Sequence, residues 1–166
     1  MSKAEQIVAT AQAEVGYIET GNNHTKYQKI DQPWCGAFVN WVYSKNSIKI
    51  PDCTSTVAGA NAFLKAKAWQ GAEAATPKVG DLAFFDFPGD GVDRISHIGI
   101  VIKDNADGTV TTIEGNTSSD KKGDQRNGGE VCVKIRAYKK KNRGNLKLSL
   151  PVFIVGFGKP TITESK

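Results

Sequence analysis

A single-domain α+β fold is predicted by two textures in the sequence and by the link between them. Up to about residue 67, apolar residues recur at the three-to-four spacing of helices. After Ala75 the texture changes to short β-branched and aromatic runs. The DNADG loop at 104–108 joins two of these runs as a hairpin, so the sheet is expected to be antiparallel. With 166 residues the chain is long enough for one sizeable core, and no internal repeat divides it.

Residues 3–15 read as an amphipathic helix, with Ile7, Val8, Ala11 and Val15 on one face and Gly16 as its stop. The polar stretch ETGNNHTKYQKIDQ follows as a loop. A second helix is expected from about Trp34. Pro33 suits a helix start, and Phe38, Val39, Val42 and Tyr43 supply an apolar face. A third helix is expected over 57–67, capped by Thr54 or Ser55, with Phe63 and Leu64 turned inward. The turn Val79-Gly80-Asp81 introduces the run LAFFDF. Further strands are expected at 95–103, 109–113, 131–138 and 152–157. In the fourth of these five runs Val131, Val133 and Ile135 alternate with Cys132, Lys134 and Arg136, the pattern of a half-buried strand. The domain is expected to span 1–158, and 159–166 reads as a tail or linker stub.

Composition excludes several classes. No stretch approaches the roughly 18 apolar residues of a membrane helix. The first residues, MSKAEQIVATAQAEVG, lack the unbroken apolar centre of a signal peptide, so synthesis in a cytoplasm is expected. A net charge of +5 permits polyanionic partners without selecting one. The three cysteines, Cys35, Cys53 and Cys132, show no metal-type pairing, and their odd number leaves at least one thiol free or paired with another molecule.

Cys35 sits at the expected start of the second helix, where backbone amides favour the thiolate; Gly36 and Ala37 beside it leave room for a substrate. The ordinary alternative is a buried thiol packed by Trp34 and Phe38. His97 opens the strand HIGIVI on the face opposite Ile98, Ile100 and Ile102, with Gly99 leaving space beside it; a satisfied structural histidine is the alternative. Glu114 and Asn116 share one face at the end of the partner strand. If 104–107 forms a four-residue loop, His97 falls opposite Glu114, and the carboxylate or amide could orient the imidazole. The alternative is an exposed Glu and a turn-forming Asn. His24 reads as a solvated loop residue. Taken together, a helix-start Cys, a strand His and a paired-strand acid or amide have the parts and the chain order of a cysteine hydrolase.

PWCGAFVNWVY, GDLAFFDF, SHIGIVI and IEGNTS together resemble the CHAP family, the cysteine- and histidine-dependent amidohydrolases and peptidases of peptidoglycan, within the papain-like superfamily. The likeness spans nearly the whole chain, and the loop GNNHTKY is similar to that of phage lysins. It implies a papain-like fold with N-terminal helices on an antiparallel sheet. It implies Cys35 as nucleophile, His97 as base and then acid, Glu114 as orienter of His97 and Asn116 as a fourth polar member. The Cys35 amide would contribute to an oxyanion hole, and Tyr27, Gln32 and Trp34 would complete oxyanion or substrate contacts. The implied function is that of an endolysin catalytic domain cutting an amide of the wall peptide, as endopeptidase or N-acetylmuramoyl-L-alanine amidase. It would act on the cell wall after release, as a monomer, with neither nucleic acid nor membrane as partner.

Some members of that family bind calcium just before the cysteine. Here only Asp31 lies between Thr20 and Trp34, too few oxygen ligands for a hard cation, so no metal or other cofactor is expected. Asp81, the group Asp86, Asp90 and Asp93, and the pair Asp104 and Asp107 read as turn residues. Trp34 fits either cleft or core, and Trp41 fits the core. The run KIRAYKKKNRGNLK holds seven basic residues and reads as a solvated loop; its alternative is attraction to anionic wall polymers, or a nucleic-acid patch with Tyr138 stacking. Two other functions fit the same residues: a related peptidase of a toxin or secretion system, and a non-catalytic basic binding module.

Overall fold

The computed structural model describes residues 1–88, 94–120, 122–140 and 150–163. Asp90, Asp93, the 141–147 part of the basic run and the last three residues lie outside the described residues.

Helix α1 (Lys3–Ala13) starts on a reciprocal cap: the Ser2 hydroxyl accepts from the Glu5 amide and the Glu5 carboxylate accepts from the Ser2 amide. It buries Ile7 and Ala11 and ends two residues earlier than its apolar pattern implies. Val15 therefore falls outside the helix and is exposed. Gly16, at φ +94°, supplies the left-handed turn after it. Helix α2 (Cys35–Lys45) is the central one, with seven of its residues buried. Helix α3 (Thr56–Lys65) is capped by Ser55, whose hydroxyl accepts from the Ala58 amide. Phe63 faces the core, but Leu64 is half exposed, because the helix buries only the stripe through Gly59, Ala60 and Phe63.

Six strands follow: β1 (Trp69–Gly71), β2 (Leu82–Phe85), β3 (His97–Asp104), β4 (Thr109–Thr117), β5 (Glu130–Ala137) and β6 (Ile154–Gly158). They form one sheet in the order β1-β6-β2-β3-β4-β5, and all its neighbouring pairs are antiparallel. The α+β architecture matches the expectation; β1 was not legible as a strand. One face of the sheet packs Leu82, Phe84, Ile98, Ile100, Ile113 and Val131 against the helices. The other buries Ala83, Phe85, Val101, Val110, Ile154 and Phe157 with Tyr138.

Two sequence expectations fail at the far side of the sheet. On β5, Val133 and Ile135 are about half exposed, whereas Lys134 and Arg136 are partly buried on the face of Thr112 and Glu114. Only Val131, at the start of this edge strand, joins the helix-side core, so the apolar residues farther along it have little to pack on. The basic run is correspondingly not all loop. Lys134 and Arg136 belong to β5, and Tyr138 is buried against Phe157 rather than free to stack. Nor is the chain after 158 wholly a tail. Lys159 pairs with the buried Asp81, and Ile162 packs on the helix-side core beside Gly80. Among the described residues no helix is long and apolar enough to cross a membrane.

The close fit of α2 over β3 and β4 depends on missing side chains. A Cβ at Gly115 would lie 2.6 Å from Phe38 Cβ and 3.0 Å from Trp34 Cζ3. Gly115→Ala should therefore destabilise the domain by about 1–3 kcal/mol, the cost of overpacking a tight core. The urea midpoint should fall at an unchanged m-value; an unaltered midpoint would mean that α2 does not sit this close.

Candidate active site

Cys35 is the first residue of α2, with only 5 % of its surface exposed. Trp34 precedes it as N-cap and makes no side-chain cap bond, so the first amides of α2 lack intrahelical acceptors and remain donors. The space beside Gly36 is not open to substrate, contrary to expectation: a Cβ there would lie 1.6 Å from the Cys53 carbonyl oxygen. Gly36 lets the chain around Cys53 close against the helix start. All three cysteines are unpaired and buried.

His97 opens β3 and is fully buried against the stacked pair Phe85 and Phe87, with ring centroids at 5.3 and 5.6 Å. Its Nε2 lies 2.8 Å from Glu114 Oε1. The register differs from the expected one. Ile100 pairs with Ile113 and Val101 with Thr112, followed by a bulge near Ile102. Continued to the start of β3, this register sets Gly99 across from Glu114 and His97 on the diagonal, still on the same face. Gly99 leaves room for the carboxylate rather than for the imidazole: its Cβ would meet Glu114 Cγ at 2.6 Å.

Glu114 is also fully buried, and its two oxygens have four contacts. Besides His97, Thr112 Oγ1 donates at 2.6 Å, Arg136 Nε at 2.8 Å and Arg136 Nη2 at 2.6 Å. Burial by itself raises the carboxyl's proton affinity. The Arg136 charge and hydrogen bonds, and then those of His97, outweigh it and hold the group well below the usual carboxylate range. An ionised carboxylate only accepts, so His97 Nε2 carries a hydrogen and Nδ1 is left as the base. Nδ1 is buried and makes no hydrogen bond of normal geometry. The Cys35 thiol is close enough to His97 to raise the proton affinity of the ring. For His97, burial lowers proton affinity, but hydrogen bonding and charge from Cys35 and from Glu114 win, and its pKa rises to about 9.

Arg136 is the member that sequence reasoning missed. It stood in a run read as solvated, and its only visible signal was alternation with Val and Ile on a strand. Its guanidinium also lies 5.3 Å from the Phe85 ring and 5.5 Å from the Phe87 ring, the stacked pair that packs on His97.

Other expected members fall elsewhere. Asn116, at φ +56°, sits in the irregular stretch of β4, donates to Asn127 Oδ1 (2.9 Å) and accepts from the Gly129 amide (3.0 Å). It pins the loop before β5 rather than reaching His97. Trp34 has no exposed surface and donates from Nε1 to Glu19, so it belongs to the core and not to the cleft. Tyr27 stacks on Trp34, with its hydroxyl donating to Glu14 at 2.8 Å. Gln32 is half-buried, its carbonyl held by Gln28. Neither Tyr27 nor Gln32 lines the cleft at Cys35. Trp41 is half-buried at the core edge, beneath Lys26 and Lys45. Among the described residues no group of three or more His, Cys, Asp or Glu is placed to hold a metal. Asp31 instead pairs with the exposed His24, and Asp104 and Asp107 accept from backbone amides in their turn.

A family model of the CHAP domain matches residues 26–116, more than half of the chain. No curated protein matches the sequence. Among solved structures, the chain is similar to NlpC1 from Trichomonas vaginalis, with a TM-score of 0.54 and 15 % identity over 96 % of this chain and 44 % of that one. It is also similar to a lipoprotein-like NLP/P60 family protein from Staphylococcus aureus, with a TM-score of 0.52 and 14 % identity over 97 % and 42 % of the two chains. At these identities the likeness is one of fold, and this chain spans less than half the length of either structure.

Two measurements check the charge chain. In an NMR titration the His97 ring should change protonation near pH 9, and Glu114→Gln should move that midpoint down. Because the folded value lies above the free value of 6.5, protonated His97 adds stability that is complete below 6.5 and lost as pH rises through about 9. Arg136→Met should cost about 3–5 kcal/mol by leaving a buried carboxylate without its cation. In a double-mutant cycle, adding Glu114→Gln should recover much of that loss; strictly additive losses would mean that the two side chains do not interact.

Proposed function

Since the chain belongs to the CHAP domain family, we propose that it is a peptidoglycan hydrolase, the catalytic domain of a bacteriophage endolysin, cutting an amide of the wall peptide as endopeptidase or N-acetylmuramoyl-L-alanine amidase. The observation that carries this reading is the buried His97, held by Glu114 through Nε2, with no hydrogen bond at Nδ1, and close enough to the helix-start Cys35 for the thiol to raise its proton affinity.

In this mechanism the Cys35 thiol passes its proton to His97 Nδ1, and the sulfur attacks the amide carbonyl. The first amides of α2 receive the negative oxygen of the tetrahedral intermediate, where the helix dipole also favours it. His97 then protonates the leaving amine, and the acyl group remains on Cys35 as a thioester. Water, deprotonated by His97, completes hydrolysis. Glu114 keeps the imidazole turned throughout, and the raised pKa of His97 keeps its proton available for the amine at neutral pH. Anionic wall polymers remain a proposed attraction for the basic part of the surface.

Purified peptidoglycan is the substrate to test, with fragments identified by mass spectrometry, which also names the bond. Wild-type protein should release fragments, while Cys35→Ala and Cys35→Ser should release none at unchanged thermal stability. Undiminished release by either variant would sink the cysteine mechanism. The alkaline limb of kcat/KM should lie near pH 9, where His97 loses the proton needed by the amine, and should move down in Glu114→Gln.

A further inference from the structure

The chain between β4 and β5 is gathered around one half-buried side chain, Gln125. Its Nε2 donates to the Gly123 carbonyl at 3.0 Å and the Asp120 carbonyl at 3.1 Å, with the Ser118 carbonyl at 3.5 Å. Its backbone carbonyl accepts from Thr117 Oγ1 at 2.9 Å. Its Oε1 faces the other way and accepts from Arg136 Nη2 at 3.3 Å. The neighbours fix this orientation of the amide: turned over, its NH2 group would meet the guanidinium and its oxygen the carbonyls. The next residue, Arg126, lines the cleft at Cys35.

Arg136 Nη2 carries two hydrogens, and it donates both to Gln125 and, at 2.6 Å, to Glu114 Oε1. That same Oε1 accepts from His97 Nε2. Imidazole and guanidinium thus share one oxygen, and the share of its charge that reaches His97 depends on where Arg136 is held. The guanidinium is planar and rigid, so fixing Nη2 sets how the whole group lies on the carboxylate. We propose that Gln125 is a positioning residue for the hydrolytic reaction: it holds Arg136 on the oxygen shared with His97 and so ties one wall of the cleft to the base. It acts through Arg136 and Glu114. This rests on Cys35 and His97 being the catalytic pair and adds a residue to that reading.

His97 is faced by Cys35 from α2 and Glu114 from β4. Glu114 is faced in turn by Arg136, Lys134 and Cys132 from β5, and Arg94 and Arg126 line the cleft. From β2 comes the uncharged Phe85 ring, with Phe87 after it. Gln125 reaches this set through Arg136.

The NMR titration of His97 tests the link without substrate. In Gln125→Met the guanidinium loses its hold on the shared oxygen, and the carboxylate acts more fully on the imidazole. The midpoint should rise, by about threefold in proton affinity. In an Arg136→Met background the same substitution should give no further rise. Independently of that background, the Arg136 side-chain N–H signals should exchange faster with water in Gln125→Met than in the wild type. Asp124→Ala releases the amides of Arg126 and Asn127 and loosens the same loop without touching Arg136; it should leave the midpoint in place. An unchanged midpoint and unchanged Arg136 exchange in Gln125→Met overturn the proposal. So does an equal rise in Asp124→Ala, or an undiminished rise in the Arg136→Met background. On peptidoglycan, the alkaline limb of kcat/KM should move up with the midpoint in Gln125→Met, and a limb that stays in place counts against the positioning role. Peptidoglycan left uncut by wild-type protein, with the Gln125-dependent midpoint intact, would remove the hydrolase reading and leave the link to His97 standing.

Discussion

A carboxylate with no exposed surface stays ionised only if the protein replaces every interaction that water would supply, and Glu114 meets that condition through His97, Thr112 and Arg136. Much of the site's architecture follows from this constraint. Three adjacent strands are needed, because the imidazole comes from β3, the carboxylate and hydroxyl from β4 and the guanidinium from β5. A glycine is needed at 99, since any Cβ would occupy the volume of the Glu114 side chain. An aromatic wall is needed as well: Phe85 and Phe87 exclude water from the imidazole on one side and lie against the guanidinium on the other.

Cys35 is placed by a second constraint, the closeness of α2 to the sheet. Gly115 admits Phe38 and Trp34 from the helix, and Gly36 admits the carbonyl of Cys53 from the chain ahead of α3. The helix start is thus held from both sides. Trp34 and Tyr27 stack within the core, so the aromatic residues around the cysteine steady it rather than grip a sugar or peptide. The cleft that opens on Cys35 is lined instead by Pro33, by the start of α3 and by residues 94–96 ahead of β3, with Arg126.

The main elements of the fold were legible because their periodicities were strong. The α2 stripe and the β-branched run of β3 read unambiguously. Helix ends, the three-residue β1 and the orientation of β5 did not. The alternation in β5 is real, but alternation alone does not say which face is covered. Val133 and Ile135 look like core residues, yet the helices do not cover them. Leu64 and Val15 misled for the same reason: apolar spacing marks a face without saying where its cover ends. The hairpin loop length misassigned the partner of His97, because the strands start pairing at Asp104 and Val110 around a longer loop, and the bulge at Ile102 then leaves a net slip of two residues. The shared face survived the slip, since Glu114 reaches His97 on the diagonal.

By itself the sequence determined the α+β class, the helix that carries Cys35, and the face shared by His97 and Glu114, because these depend on local periodicity and on residue types close together along the chain. The tertiary structure decided which polar groups meet. It joined Arg136 to Glu114 from the edge strand, turned Asn116 away into a backbone contact, sent Trp34 into the core, and set Arg94 and Arg126 on the cleft that opens on Cys35. The reason is physical: the energy of a buried charge depends on neighbours from distant parts of the chain, and no spacing rule encodes their approach.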